Sequence, residues 1–176
     1  IQRKEWTIHQ ATPYMLWSAR TPEAREFSSV LISTLKDSEP FWYHLGQAIL
    51  SGTRGDHKHA QKELEAARLK HPIAYNFTHN YSNIPVEICQ WLYLESGDGR
   101  YKEQALRFAR TLQGKMPFHT QLYSVIALYS NDQEERVRNA AMAMRLDPRS
   151  ASLASVPEEM MEAAGQWLRE NEPFGD

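Results

Sequence analysis

The chain predicts an all-α fold of stacked antiparallel helix hairpins, and three observations carry that prediction. Within residues 41–50, FWYHLGQAIL, the side chains of Trp42, Leu45, Gly46 and Ile49 share one face at helical spacing. After a short glycine-containing break, Ala60, Leu64, Ala67 and Pro72 form a small, large, small, stop series. Small residues let two helices approach, and a proline ends the second of them. The series returns in register at Ala105, Ala109, Leu112 and Pro117, with large and small exchanged at two places, and its terminal spacing returns at Ala140, Ala143 and Pro148.

The elements follow in chain order. Residues 6–17 read as a helical piece interrupted by Pro13. Thr21-Pro22-Glu23 opens the next helix, with a hydroxyl to cap orphan amides and proline in the first turn. That helix carries Phe27, Val30, Leu31 and Leu35 on one face and stops near residues 37–40, so residues 1–40 form an N-terminal capping pair. The first hairpin spans 41–72, with Gly52 and Gly55 flanking Arg54 in its turn and Asp56 capping its second helix. Trp42 is expected to pack between Ala60 and Leu64. A polar aromatic loop, residues 73–85, delays the second hairpin, 86–117, whose turn is Gly97-Asp98-Gly99. The third hairpin, 120–148, has Asn131 and Glu134 placed as a capping box. Ser155, with Glu158 three residues on, opens a C-terminal capping helix over 155–173, and the whole chain reads as one helical-repeat domain.

Residues 41–148 resemble a degenerate tetratricopeptide-like array. The first hairpin keeps the residue spacing of each of its helices, although its turn is two residues longer than the pattern. The prolines at 72, 117 and 148 fall unevenly around the usual period of ~34 residues. The resemblance implies a right-handed superhelix of hairpins with a concave groove that holds a peptide or a partner helix.

Composition narrows the function classes. The formal net charge of -2 comes from nearly balanced acids and bases, which gives no field suited to nucleic acid or an anionic membrane surface. Five Trp and eight Tyr are enough aromatic mass for a continuous core. Cys89, the single cysteine, has no partner for a disulfide or a CxxC site and reads as a small buried hydrophobe. The apolar stretches fall short of the ~20 residues that span a bilayer, so no membrane insertion is expected of this stretch of chain. Its first residues, IQRKEW, begin without methionine and look cut from something longer.

No catalytic, cofactor or metal site is expected. His57 and His59 beside Asp56 point roughly 200° apart on a helix, whereas metal-binding pairs sit at i and i+4; they read as solvated histidines behind a capping Asp. Glu134 with Glu135, and Glu158, Glu159 with Glu162, lie in first helical turns, where the helix dipole favours negative charge. Gly97-Asp98-Gly99 is too short for a phosphate loop.

Two sets of residues are candidates for partner binding. First-helix positions not committed to packing, Tyr43, Gln47, Gln90 and Tyr123, would line the groove. Tyr75, Phe77, His79 and Tyr81, interleaved with Asn76, Asn80 and Asn83, place aromatic faces beside amides, a combination suited to sugars or an extended peptide.

Two function classes fit. One is a non-catalytic protein–protein interaction scaffold that binds a peptide or partner helix, in the cytoplasm or elsewhere. The other is the extracytoplasmic, periplasmic C-terminal domain of a bacterial membrane-bound glycan enzyme of the O-antigen ligase, polymerase or O-oligosaccharyltransferase type, whose layout this chain resembles. On that reading the chain positions an acceptor protein or glycan, while catalysis lies upstream of Ile1.

Overall fold

The computed structural model describes residues 21–70 and 84–171. They form eight α-helices and one short 3-10 helix, with no strand among the described residues. The expected helical piece at 6–17, Pro72, and most of the aromatic loop lie outside the described residues. The chain divides into two compact units, 1–104 and 105–176, and each is taken by itself.

In the first unit, α1 (Pro22–Ser33), α2 (Pro40–Thr53), α3 (His57–Lys70) and α4 (Ile84–Ser96) precede the start of α5 (Arg100–Gln113). Helix α2 is the centre, packing against α1, α3 and α4. Its Phe41, Trp42, Leu45, Ala48, Ile49 and Leu50 are all buried, as are Ala60, Leu64 and Ala67 of α3. This is the burial pattern that the helical spacing in both segments predicts.

The helix ends are set by local chemistry. The Thr21 hydroxyl accepts from the Ala24 amide at 3.2 Å, and Asp56 accepts from the His59 amide at 3.0 Å, so both predicted caps are present. Between α2 and α3 the chain turns through Gly55, at φ +81°, a left-handed conformation open to glycine at little cost. Gly97, at φ +70°, does the same before α5, where the Asp98 side chain accepts from the Arg100 amide at 3.0 Å.

Several expectations are corrected. Helix α1 buries Ser28 and Ile32, and Leu35 just beyond it is buried as expected, while Phe27 and Val30 are 57% and 60% exposed. The reason lies on α2: a Cβ on Gly46 would sit 2.3 Å from Ile32 Cδ1, so the bare glycine receives Ile32 and turns α1 about its axis. Gly46 thus admits α1, a different helix from its hairpin partner. Gly52 belongs to α2 and not to the turn; its Cβ would meet Leu92 Cδ2 at 2.5 Å and the Tyr101 hydroxyl at 3.3 Å. Helix α4 starts at Ile84, earlier than expected, with Pro85 in its first turn, a position where the missing amide costs nothing.

The second unit holds the rest of α5, then α6 (Thr120–Tyr129), α7 (Gln133–Leu146), the 3-10 helix (Ala151–Ser155) and α8 (Glu158–Asn171). Helix α7 packs against α6 and α8, and the 3-10 helix lies on α6 and α7. The core joins Tyr123 and Ala127 of α6, Ala140, Ala141 and Ala143 of α7, and Leu153, Val156, Met160 and Ala164. The cap of α7 is Asp132, one residue beyond the expected Asn131; its carboxylate accepts from the amides of Glu134 and Glu135. Ser155 ends the 3-10 helix, and α8 opens after Pro157. The proline that ended the pattern at 117 lies beyond the last residue of α5.

The Glu135 side chain bridges elements while its amide stays in the cap. Its carboxylate accepts from Arg110 Nη2 at 2.5 Å and Nε at 3.0 Å, and from the Ser130 hydroxyl. Gln113 Nε2 donates to Asn139 Oδ1 at 2.7 Å, adding a second polar tie between α5 and α7.

Two outcomes are expected. Gly46→Leu destabilises the fold by about 1–3 kcal/mol, the usual overpacking cost, and Ile32→Ala recovers part of the loss in the double variant, as urea unfolding would show by non-additivity. The Arg110 guanidinium, then the Ser130 hydroxyl, holds the Glu135 carboxyl below its ordinary value. Its contribution is therefore complete above the ordinary carboxylate range and lost as pH falls through the lowered folded value. Arg110 is 48% exposed, so after solvent screening Glu135→Gln costs only about 0.5–1 kcal/mol at neutral pH. In acid the unfolding free energies of the variant and the native chain converge.

Candidate partner-binding surface

Of the predicted groove residues, Tyr43 and Gln47 lie half-buried on α2, and Gln90 lies half-buried on α4. Tyr123 does not belong to such a surface: it is 7% exposed, and its hydroxyl donates to the Pro117 carbonyl at 2.8 Å. Burial pushes its phenol above the ordinary value. Tyr75, Phe77, His79 and Tyr81 fall outside the described residues.

The surface around Tyr43 is built from the α2–α3 hairpin. Its ring meets His44 edge to face, with centroids 5.2 Å apart at 69°. His44 Nδ1 in turn lies 2.7 Å from Glu63 Oε2, and the other oxygen of that carboxylate is 3.6 Å from His59 Nε2. Facing a carboxylate, Nδ1–H of His44 is the donor in this contact. Glu63 is buried, so the pair fixes the ring from below and the ring fixes Tyr43.

Sequence reasoning passed over His44 and Glu63. The signal was present: Ala60, Glu63, Leu64 and Ala67 occupy i, i+3, i+4 and i+7, so the glutamate stands in a core position of α3. A carboxylate in that register needs a donor from the facing helix, and His44 on α2 supplies it.

On α4, Glu87, Gln90, Trp91 and Leu94 form a stripe at i, i+3, i+4 and i+7, half-buried at the first three and exposed at Leu94. The other side of the helix buries Ile88, Cys89 and Leu92. One turn on, Lys102 Nζ sits 4.3 Å over the Tyr93 ring, a cation–π contact between α4 and α5.

A second polar group lies at the base of the same unit. His57 Nδ1 is 2.9 Å from the fully buried Tyr101 hydroxyl, so this histidine is engaged and not the solvated residue expected. Burial above all, followed by the Asp98 carboxylate, pushes the Tyr101 phenol up to about 12. Burial likewise pushes the Cys89 thiol well above its ordinary value. Both groups stay protonated at neutral pH and are poor nucleophiles; they serve packing and hydrogen bonding. Asp98, held below the usual carboxylate range chiefly by Arg100, stabilises the turn into α5.

Among the described residues no group of histidine, cysteine and carboxylate side chains is arranged to hold a metal ion, and no helix is long and apolar enough to cross a membrane. No family model, curated protein or solved structure matches the chain.

The His44–Glu63 contact predicts a measurable coupling. Glu63→Ala costs about 1–3 kcal/mol by leaving the histidine without its acceptor. His44→Ala and the double variant complete a double-mutant cycle in which urea unfolding yields a coupling of at least about 0.5 kcal/mol. Additive single-variant losses would show that the contact contributes nothing.

Proposed function

We propose that the chain is a non-catalytic interaction scaffold with tetratricopeptide-like hairpins, and that it binds an extended peptide or a partner helix along the first helices of its first unit. The observation that carries this reading is the packing of α2 against α4. These are the first helices of successive hairpins, and their direct contact is how hairpin arrays present one helix from each repeat on a shared face. Both helices carry rows of half-buried residues: Tyr43 and Gln47 on α2, and Gln90 and Trp91 on α4.

The chemistry of those rows suits main-chain and side-chain recognition. Tyr43 offers a rigid amphipathic ring, Gln47 and Gln90 offer amide donors and acceptors, and Trp91 offers a broad apolar contact. Aromatic anchors surrounded by polar groups dominate the energy of peptide-binding surfaces. The partner is thus a peptide with alternating apolar and hydrogen-bonding groups, bound without a strong charge requirement.

Selection from a displayed random-peptide library, followed by fluorescence anisotropy with the selected peptides, tests the surface. Tyr43→Ala with Gln90→Ala is expected to weaken binding about tenfold or more, equivalent to ~1.4 kcal/mol, while the thermal melt shifts little because both side chains are half-exposed. Undiminished affinity in the double variant would remove this surface from consideration.

A further inference from the structure

A separate depression lies in the second unit, beside the turn that leads into α6. It is shallow and open to solvent, and is lined by Phe118, His119, Thr120, Gln121, Ser150, Ala151 and Ser152. Phe118 stands 80% exposed at its edge. A large aromatic held out in water on a well-defined turn is the anomaly here, because removing that ring from water is favourable.

The turn that carries Phe118 is fixed from within. Tyr123, buried in the core, donates its hydroxyl to the carbonyl of the preceding residue, Pro117, at 2.8 Å. The His119 amide closes the turn onto the Met116 carbonyl at 3.1 Å. The ring is therefore presented by backbone that the core holds in place.

The hydroxyls opposite are ordered in one sense. Ser124, buried on α6, donates to the Thr120 carbonyl at 3.2 Å. A serine hydroxyl has a single proton, so Ser124 accepts across the 2.9 Å contact with Ser152. Ser152 has then spent its own proton and accepts from Ser150 at 3.0 Å. Lone pairs on Ser150 and Ser152 are what remain for a ligand. The serine wall accordingly asks for hydrogen-bond donors.

The lining also excludes. It contains no Asp or Glu to balance a cation and no Lys or Arg to balance an anion. A ligand that is rich in donors, carries no net charge and has an apolar face to lay on an aromatic ring is a neutral saccharide: its hydroxyls meet the serines, and its C–H face meets the negative face of Phe118. The geometry points to this depression as a saccharide-binding subsite, independent of the peptide surface on the first unit.

Saturation-transfer NMR on the full chain tests the assignment, with glucose, N-acetylglucosamine, and the trimers maltotriose and chitotriose as probes at millimolar concentration. Transfer to ring protons of at least one of the four is expected. A signal from monosaccharides identifies a free sugar as sufficient, and a signal from trimers alone identifies a glycan chain. Phe118→Ala, which removes an exposed side chain and leaves the core intact, is expected to weaken binding about threefold to tenfold. Phe27→Ala, at an exposed aromatic in the other unit, leaves the signal unchanged. Absence of transfer to all four sugars overturns the assignment, as does a signal insensitive to Phe118→Ala or displacement of every sugar by choline or inorganic phosphate.

Discussion

The first unit depends on the absence of two side chains. Helix α2 touches α1, α3 and α4, and a helix can meet three neighbours closely only where its own surface is shallow. Gly46 makes room for Ile32 and Gly52 makes room for Leu92 and Tyr101. Both glycines carry the entropic cost of standing inside a helix, about 1 kcal/mol each relative to alanine. That cost is offset by the burial of Ile32, Leu92 and Tyr101, which are all removed from water. In the second unit the alanines 140, 141 and 143 do the same for α7 between α6 and α8.

Shallow surfaces leave a problem of register, since smooth apolar faces slide. Buried polar contacts oppose sliding because each has one geometry in which it is satisfied. His44 with Glu63 joins α2 to α3, and Tyr101 with His57 joins the start of α5 to the start of α3. In the second unit, Arg110 and Ser130 converge on Glu135, Gln113 meets Asn139, and Arg136 Nε donates to the Ala127 carbonyl at 2.9 Å. A shift of one helical turn would leave the buried groups of Glu63, Tyr101 and Asn139 unpaired away from water, at a cost of about 1–3 kcal/mol for each.

The same contacts shape the two surfaces proposed to bind partners. Glu63 reaches Tyr43 through His44, and Tyr123 reaches Phe118 through the Pro117 carbonyl. In both places a buried polar group holds an aromatic ring that water can reach. Preorganisation of this kind lowers the entropy lost on binding. The two rings have different surroundings: amides and a second aromatic helix face near the α2–α4 packing, and uncharged hydroxyls around Phe118. Those surroundings separate the ligand classes that each surface suits.

Features that depend on neighbours a few residues apart were legible in the chain. Periodicity in residues 41–50 and 60–67 placed the helices and their buried stripes, and Thr21, Asp56, Gly55 and Gly97 set the helix ends through their own hydrogen bonds and backbone freedom. The predicted cap of α7 was off by one residue, because Asn131 and Asp132 are both capping types and only the fold chose between them. What a side chain meets across an interface was decided by the tertiary structure. Phe27 and Val30 look like a core stripe, yet Ile32 is buried because it fits the gap at Gly46 on another helix. Tyr123 looks like a groove residue, yet its ring fills the core and its hydroxyl anchors a turn. The chain of serines at 124, 150 and 152 joins residues distant in sequence, and periodicity along one helix carries no information about which distant group will stand opposite.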